Sequence, residues 1–176
     1  MERAGHQLCL TLDRPAVHNA FDARTRDCLV EAFTLAAVDP SIARVELRGE
    51  GVHFCAGGDL SEFGTAPDPV VGHLVRTTRS AARAIAECAD RTSAFLHGAC
   101  IGAGIELPAF AARVVAAPDT TISLPEVGMG LVPGAGGTAS LPRRIGRQRT
   151  AWLALSGARI GAETALDWGL VDEIGT

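Results

Sequence analysis

One run of residues limits this chain more than any other: His97-Gly98-Ala99-Cys100-Ile101-Gly102-Ala103-Gly104-Ile105-Glu106-Leu107. The segment before it, Thr92 to Leu96, carries the β-branched and aromatic residues of a strand. The run then passes through small residues to a carboxylate and on to apolar helix formers, the pattern of a strand turning tightly into a helix start. Glycine and alanine there let a ligand approach the backbone, and the unpaired N–H groups of a helix start favour an anion. A second carboxylate, Glu126, follows within Leu124-Pro125-Glu126-Val127-Gly128-Met129-Gly130, and after it comes the loop Pro133-Gly134-Ala135-Gly136-Gly137-Thr138. A helix start that can hold an oxyanion, with two carboxylates in reach, is what the rest of the chain must position.

Composition excludes several alternatives. At 176 residues the chain fits one α/β domain spanning 1–176 and can bury a substantial core. No apolar run reaches the length of a membrane span, and the first residues lack the layout of a signal peptide, so the expected compartment is the cytoplasm. A net charge of −4 without a basic block gives no reason to expect a nucleic-acid partner. All sixteen cationic residues are arginine, and tyrosine is absent, which removes a Schiff-base lysine and a tyrosine acid. The cysteines (Cys9, Cys28, Cys55, Cys88, Cys100) are scattered singly without CxxC spacing, and the histidines are equally dispersed. Buried free thiols and no metal site are the expectation. The Gly102-x-Gly104-x-x-Leu107 pattern lacks the third glycine of a dinucleotide fingerprint. There is no Walker A run and no Gly-x-Ser-x-Gly elbow.

In chain order, the pattern predicts strands over 6–12 and 43–47, with a helix from Ala23 to about Val38 capped by Asp22 and stopped at Asp39-Pro40. Val52 to Cys55 reads as extended, leading into Ala56-Gly57-Gly58-Asp59-Leu60. A surface stretch with Pro67 and Pro69 comes next. The spacing then predicts one long helix from about Val70 to Cys88, with arginines 76, 79 and 83 on one side. Strands are expected over 113–117 and 121–124, and helices near 139–145, 148–155 and 162–168, the last capped by Gly169. A short strand over 170–174 closes the chain. The order β-β-α, β-α, β-β-α is that of a mixed α/β domain.

With these pieces in place, the chain resembles the enoyl-CoA hydratase/isomerase (crotonase) superfamily from end to end. The resemblance rests on five stretches in the same order. They are Leu12-Asp13-Arg14-Pro15…Asn19-Ala20, Phe54-Cys55-Ala56-Gly57-Gly58-Asp59-Leu60, His97-Gly98…Gly102-Ala103-Gly104…Glu106-Leu107, Pro125-Glu126…Gly130-Leu131-Val132-Pro133 through Thr138, and Gly157-Ala158-Arg159…Ala165…Gly169-Leu170-Val171-Asp172. It implies a spiral of ββα units, assembly as homotrimers or hexamers, and chemistry on acyl-CoA thioesters, with coenzyme A part of the substrate and no other cofactor. It also implies an oxyanion hole made by the N–H groups of Gly58 and Ala103. Glu106 and Glu126 fall on the family's two hydratase glutamates, and the substrate-binding positions would be Ala56, Gly58, Asp59, Leu60, Gly102, Ala103, Pro133 and Gly134.

The residues themselves suggest how the two carboxylates divide the work. Glu106, in the first turn of a helix, should be held ionised by the macrodipole and suit a base that orients water. Glu126, among Leu124, Pro125, Val127 and Met129, should have a raised pKa and suit proton donation. The plainer alternatives are an N3 capping residue for Glu106 and a loop ion pair for Glu126. Arg143, Arg144, Arg147 and Arg149 read as a solvated helix face in preference to a clamp for CoA phosphates. Arg14, Ala16 and His18 fall where the family's loop touches CoA, and His97 reads as a packed strand-end histidine.

Two departures from the family stand out. Pro108 falls early in the expected helix and could re-aim Glu106. The chain also stops soon after Asp172-Glu173-Ile174, without the C-terminal helical segment members usually carry. Apolar surface fed by Leu153, Leu155, Leu166 and Trp168 is then expected to be covered by a second copy of the chain. The expected function is hydration of a 2-enoyl-CoA. The alternatives are an enoyl-CoA isomerase or other acyl-CoA enolate chemistry, and a catalytically weak acyl-CoA-binding subunit.

Overall fold

In the computed structural model, residues 1–65 and 68–175 are described. Pro67, expected on a surface stretch, lies outside them. The first strands are β1 (Glu2–Ala4) and β2 (Gln7–Leu12), followed by helix α1 (Ala23–Val38) and β3 (Arg44–Gly49). Helices α2 (Pro69–Thr78) and α3 (Ala81–Glu87) lead to β4 (Thr92–Leu96), β5 (Ala99–Ile101) and the single turn α4 (Ala103–Glu106). Then come β6 (Arg113–Ala116), β7 (Thr121–Ser123), α5 (Gly137–Ser156), β8 (Ile160–Gly161), α6 (Ala162–Trp168) and β9 (Glu173–Ile174).

Two sheets organise these elements. The larger runs β1-β2-β3-β4-β6-β9, and the smaller runs β5-β7-β8. Apart from the antiparallel β1–β2 edge, the larger sheet is parallel, with Leu8 opposite Val45, Leu47 opposite Ala94 and Phe95 opposite Val115. Alternation decides which face is buried. Leu8, Leu10 and Leu12 of β2 point inward while Thr11 is exposed, and Thr92, Ala94 and Leu96 of β4 are all buried. Helix α1 starts where expected: the Asp22 carboxylate accepts from the Thr25 N–H at 2.7 Å. Its Leu29, Phe33 and Ala36 join the core, and burial of a side chain such as Phe33 contributes about 2 kcal/mol.

The structure corrects the sequence reading in three places. The helix expected over 70–88 is two helices, α2 and α3, because the Ser80 hydroxyl accepts from the Arg83 N–H and starts a new one. The segment expected to be one turn after Leu96 contains β5. Gly98, at φ +52°, swings the chain away from the larger sheet, and Ala99, Cys100 and Ile101 pair in parallel with Thr121, Ile122 and Ser123. The extended segment expected over 52–55 forms no strand, and is tied to β5 by a single bridge between Cys55 and Cys100 and by the Ala99 N–H donated to the His53 ring. The two helices expected over 139–155 are present within α5, separated by a non-helical break at Gly146 (φ 77°, ψ 163°). Helix α6 has the expected bounds, with Gly169 in the left-handed conformation at its end.

Candidate active site

The sheet switch between β4 and β5 aims the central turn. Gly102, at φ 50° and ψ −117°, adopts a backbone closed to other residues and donates its N–H to Ser123 O at 3.0 Å. Ala103 opens α4 immediately afterwards, so its own N–H has no intrahelical acceptor. The Gly58 loop is brought alongside by main-chain bonds. Cys55 N donates to Ala99 O at 3.1 Å, and Ile101 N to Cys55 O at 3.0 Å. On its other side, Phe21 N donates to Gly57 O at 2.7 Å, and Asp59 N to Phe21 O at 3.0 Å. Neither Gly58 N–H nor Ala103 N–H has an acceptor among the described residues. Both residues line one cavity of about 470 Å³.

Glu106 and Glu126 line the same cavity. Glu106 is 1% exposed. Its Oε2 accepts from Ala135 N at 2.8 Å and Gly137 N at 2.7 Å, and Ser140 Oγ donates to its carbonyl at 2.7 Å. The Pro133–Thr138 loop is thus fastened to α4 through the carboxylate itself. Gly137 has to be glycine, since a β-carbon there would sit 2.6 Å from Glu106 Cγ. The other oxygen, Oε1, faces Glu126: a β-carbon on Gly102 would collide with Glu126 Oε1 and lie 4.0 Å from Glu106 Oε1. The second oxygen of Glu126 is buried without a partner among the described residues.

Burial therefore decides the charge of both groups. It pushes Glu106 up to about 7 against the pull of the Gly137 and Ala135 N–H groups, with the nearby Glu126 raising it further. Burial raises Glu126 as well. The expectation that a helix dipole keeps Glu106 ionised is corrected, because α4 is one turn long and desolvation outweighs it. Pro108 has a benign place: α4 ends at Glu106 and Pro108 opens a separate 3₁₀ turn, so the carboxylate keeps its aim.

Of the expected substrate-binding residues, Gly58, Asp59, Ala103 and Gly134 line the cavity, and Gly102 sits directly behind Glu126. Ala56, Leu60 and Pro133 do not line it, and Leu60 is 70% exposed. Arg14 bridges Asp22 at 3.2 Å and Asp59 at 3.1 Å, tying the start of α1 to the Gly58 loop. The cationic run on α5 lies away from the cavity. Arg144 holds Ala109 O, Ala111 O and Asp172, and Arg149 stacks 5.4 Å over Trp168. The His97 ring packs on Gly51 O at 3.0 Å, as expected of a structural histidine. Cys55, Cys88 and Cys100 are buried free thiols, whereas Cys28 is exposed. Sequence spacing gives no sign of other wall residues, among them Phe21, Arg26, Phe63 and Arg79, which reach the cavity from distant elements. No cluster that could hold a metal exists among the described residues, and none of their helices is long and apolar enough to cross a membrane.

A profile of the family described as "Enoyl-CoA hydratase/isomerase" matches residues 4–176. The chain is 34% identical over 175 residues to the 2,3-dehydroadipyl-CoA hydratase of Escherichia coli (strain K12), covering 99% of this chain and 68% of that protein. It is 33% identical to the 1,2-epoxyphenylacetyl-CoA isomerase of the same organism, covering 95% and 65%. Among solved structures it is similar to the enoyl-CoA hydratase from Thermoplasma volcanium GSS1, at 32% identity and a TM-score of 0.89, covering 99% of this chain and 70% of that one. The chain thus spans about two thirds of the length of the relatives it matches.

Proposed function

The chain belongs to the enoyl-CoA hydratase/isomerase (crotonase) superfamily, and from that premise we propose that it hydrates a 2-enoyl-CoA thioester. The observation that carries the reading is the convergence of Oε1 of Glu106 and Oε1 of Glu126 over Gly102, in the cavity that also receives the unpaired N–H groups of Gly58 and Ala103. The thioester oxygen sits on those two N–H groups. Glu106 takes a proton from water as its oxygen bonds to the β-carbon, and the π electrons of the carbon–carbon double bond move to give an enolate. The negative charge on the thioester oxygen is met by donors already aimed at it. Glu126 then delivers its proton to the α-carbon, which its unpartnered, buried oxygen equips it to carry. The two carboxyls exchange one proton to reset. No cofactor takes part beyond the coenzyme A that the substrate carries.

Isomerisation of a 3-enoyl-CoA is the second reading. It is favoured by the likeness to a relative named as an isomerase, and needs only one carboxyl to move a proton between carbons. The test is loss of the conjugated enoyl absorbance of crotonyl-CoA. Glu106→Gln and Glu126→Gln should each lower turnover at least about a hundredfold. Hydration retained in either variant refutes the two-carboxyl mechanism, and 3-enoyl isomerisation abolished by only one of them favours the second reading.

A further inference from the structure

The segment leading to Gly58 and strand β5 are joined by one parallel bridge, whose bonds run from Cys55 N to Ala99 O and from Ile101 N to Cys55 O. Continued one rung back, a parallel ladder would take Ala99 N to the His53 carbonyl and His53 N to the His97 carbonyl. Both bonds are displaced. The His53 carbonyl accepts from Asn19 Nδ2 at 2.8 Å, and His97 O accepts from Phe54 N at 3.0 Å. The imidazole takes the place left open, and Ala99 N donates to His53 Nδ1 at 3.1 Å. A main-chain N–H can only donate, so Nδ1 presents its lone pair and the ring proton sits on Nε2. Gly98 admits the ring, since a β-carbon there would lie 2.7 Å from Nδ1. The His18 ring packs edge to face on it, 4.9 Å between centroids, and the His18 carbonyl accepts from Ala56 N at 3.0 Å.

By giving its ring to Ala99, His53 frees its carbonyl for Asn19, whose side chain also accepts from Arg14 N and donates to Glu50 O, each at 2.8 Å. The loop ahead of α1, the Gly58 loop and β5 thus meet on one residue. Gly58 lies a few residues beyond His53, and Ala103 a few beyond Ala99. We propose that His53 is a positioning residue for the acyl-CoA site: its Nδ1 stands in for a main-chain acceptor and fixes the separation of the Gly58 and Ala103 N–H groups. This rests on the acyl-CoA reading above and deepens it. His53 does not line the cavity and acts through Ala99. A donor moved by a fraction of an ångström still meets the ground-state carbonyl but serves the enolate oxygen poorly, so the loss falls on turnover more than on binding.

Variants that differ in what they place at the Nδ1 position test the proposal. In His53→Asn the amide Oδ1 falls near that position and can accept the Ala99 N–H. In His53→Leu a methyl falls there, and in His53→Gln the acceptor lies one atom further out. With crotonyl-CoA, His53→Leu and His53→Gln should lose on the order of tenfold or more in kcat with KM little changed, and His53→Asn should recover most of that loss. Unchanged kcat in His53→Leu overturns the proposal. An equal loss in all three variants overturns it too, because the ring would then serve only to fill space. Nuclear magnetic resonance of isotope-labelled protein gives a readout without turnover. The amide resonances of Gly58 and Ala103 should shift in His53→Leu and stay near their wild-type positions in His53→Asn. Should His53→Leu not fold, His53→Gln against His53→Asn makes the same comparison. If the shifts appear while crotonyl-CoA is not hydrated, the hydratase reading fails and the positioning role stands. If a folded His53→Leu leaves both resonances in place, the positioning role fails whether or not the chain hydrates.

Discussion

Replacing Glu106 by glutamine should make the protein more stable at alkaline pH and lower its turnover at least about a hundredfold. The side chain is 1% exposed and titrates at about 7, against an ordinary value of 4.5. The folded state therefore holds its proton more tightly than the unfolded chain does. Below pH 4.5 both states are protonated and the group imposes no penalty. As pH climbs from 4.5 to 7 the unfolded chain ionises first, so stability is lost across that window and stays lost above it. The full difference is about 3 kcal/mol, from 1.36 kcal/mol for each pKa unit. Glutamine keeps an oxygen for the Ala135 and Gly137 N–H groups and carries no charge, so it escapes this penalty. Urea unfolding at pH 5 and pH 8 should show the variant near wild type at the lower pH and clearly more stable at the higher. Its melting point at pH 8 should rise by roughly 6–12 °C for a chain of this size. Glu106→Leu, which strands both N–H groups, should be destabilised at both values. In the wild type, hydration should rise with pH through about 7 as the base ionises. A pH-independent gap between wild type and Glu106→Gln, or a variant less stable at pH 8, would refute the reasoning.

Gly102→Ala should keep its circular dichroism yet lose about a hundredfold in hydration, because a β-carbon at φ 50° displaces the Glu126 carboxylate; near-normal turnover would show that Glu126 tolerates displacement. We also expect a homotrimer or hexamer, since Trp152, Leu155 and Leu166 are 50%, 73% and 40% exposed on one part of the chain. Light scattering should return a multiple of three, and a monomer at micromolar concentration would end that expectation.

What the sequence makes legible is local. Asp22 announces α1, Gly169 announces the end of α6, and the alternation of Leu8, Leu10 and Leu12 announces β2, each from signals within a few residues. Of the residues expected on an apolar face, Leu155 and Leu166 are open, but Leu153 is fully buried in the core, a difference that helical spacing alone does not reveal. Strand β5 escapes because three small or apolar residues between two glycines carry no period of their own, and only pairing with β7 makes them a strand. The α2–α3 break is hidden by an apolar spacing that runs on through Ser80, although serine ahead of Ala81 is a cap signal. At the site, both glutamates and both N–H donors can be placed from the motifs. That Glu106 fastens the Ala135–Gly137 loop cannot be, since the bond joins residues distant in the chain. The same holds for Arg26 and Arg79, which meet only because α1 and the α2–α3 break converge on Asp27.

The Gly58 loop is stitched to its surroundings by two single main-chain bridges, Phe21 to Gly58 and Cys55 to Cys100, with Arg14 on Asp59 and the His53 ring on Ala99 N beside them. The gauge between the Gly58 and Ala103 N–H groups is accordingly set chiefly in main chain, while the chamber beyond it is furnished in side chains from α1, the α2–α3 break and the Glu126 loop. The two can drift independently. Exchanging Leu131 or Arg79 would reshape the chamber without touching the gauge, whereas the Phe63 ring packs against Gly58 and belongs to both. Closing or widening the gauge would require moving backbone that β5 holds on one side and the Phe21 segment ahead of α1 on the other.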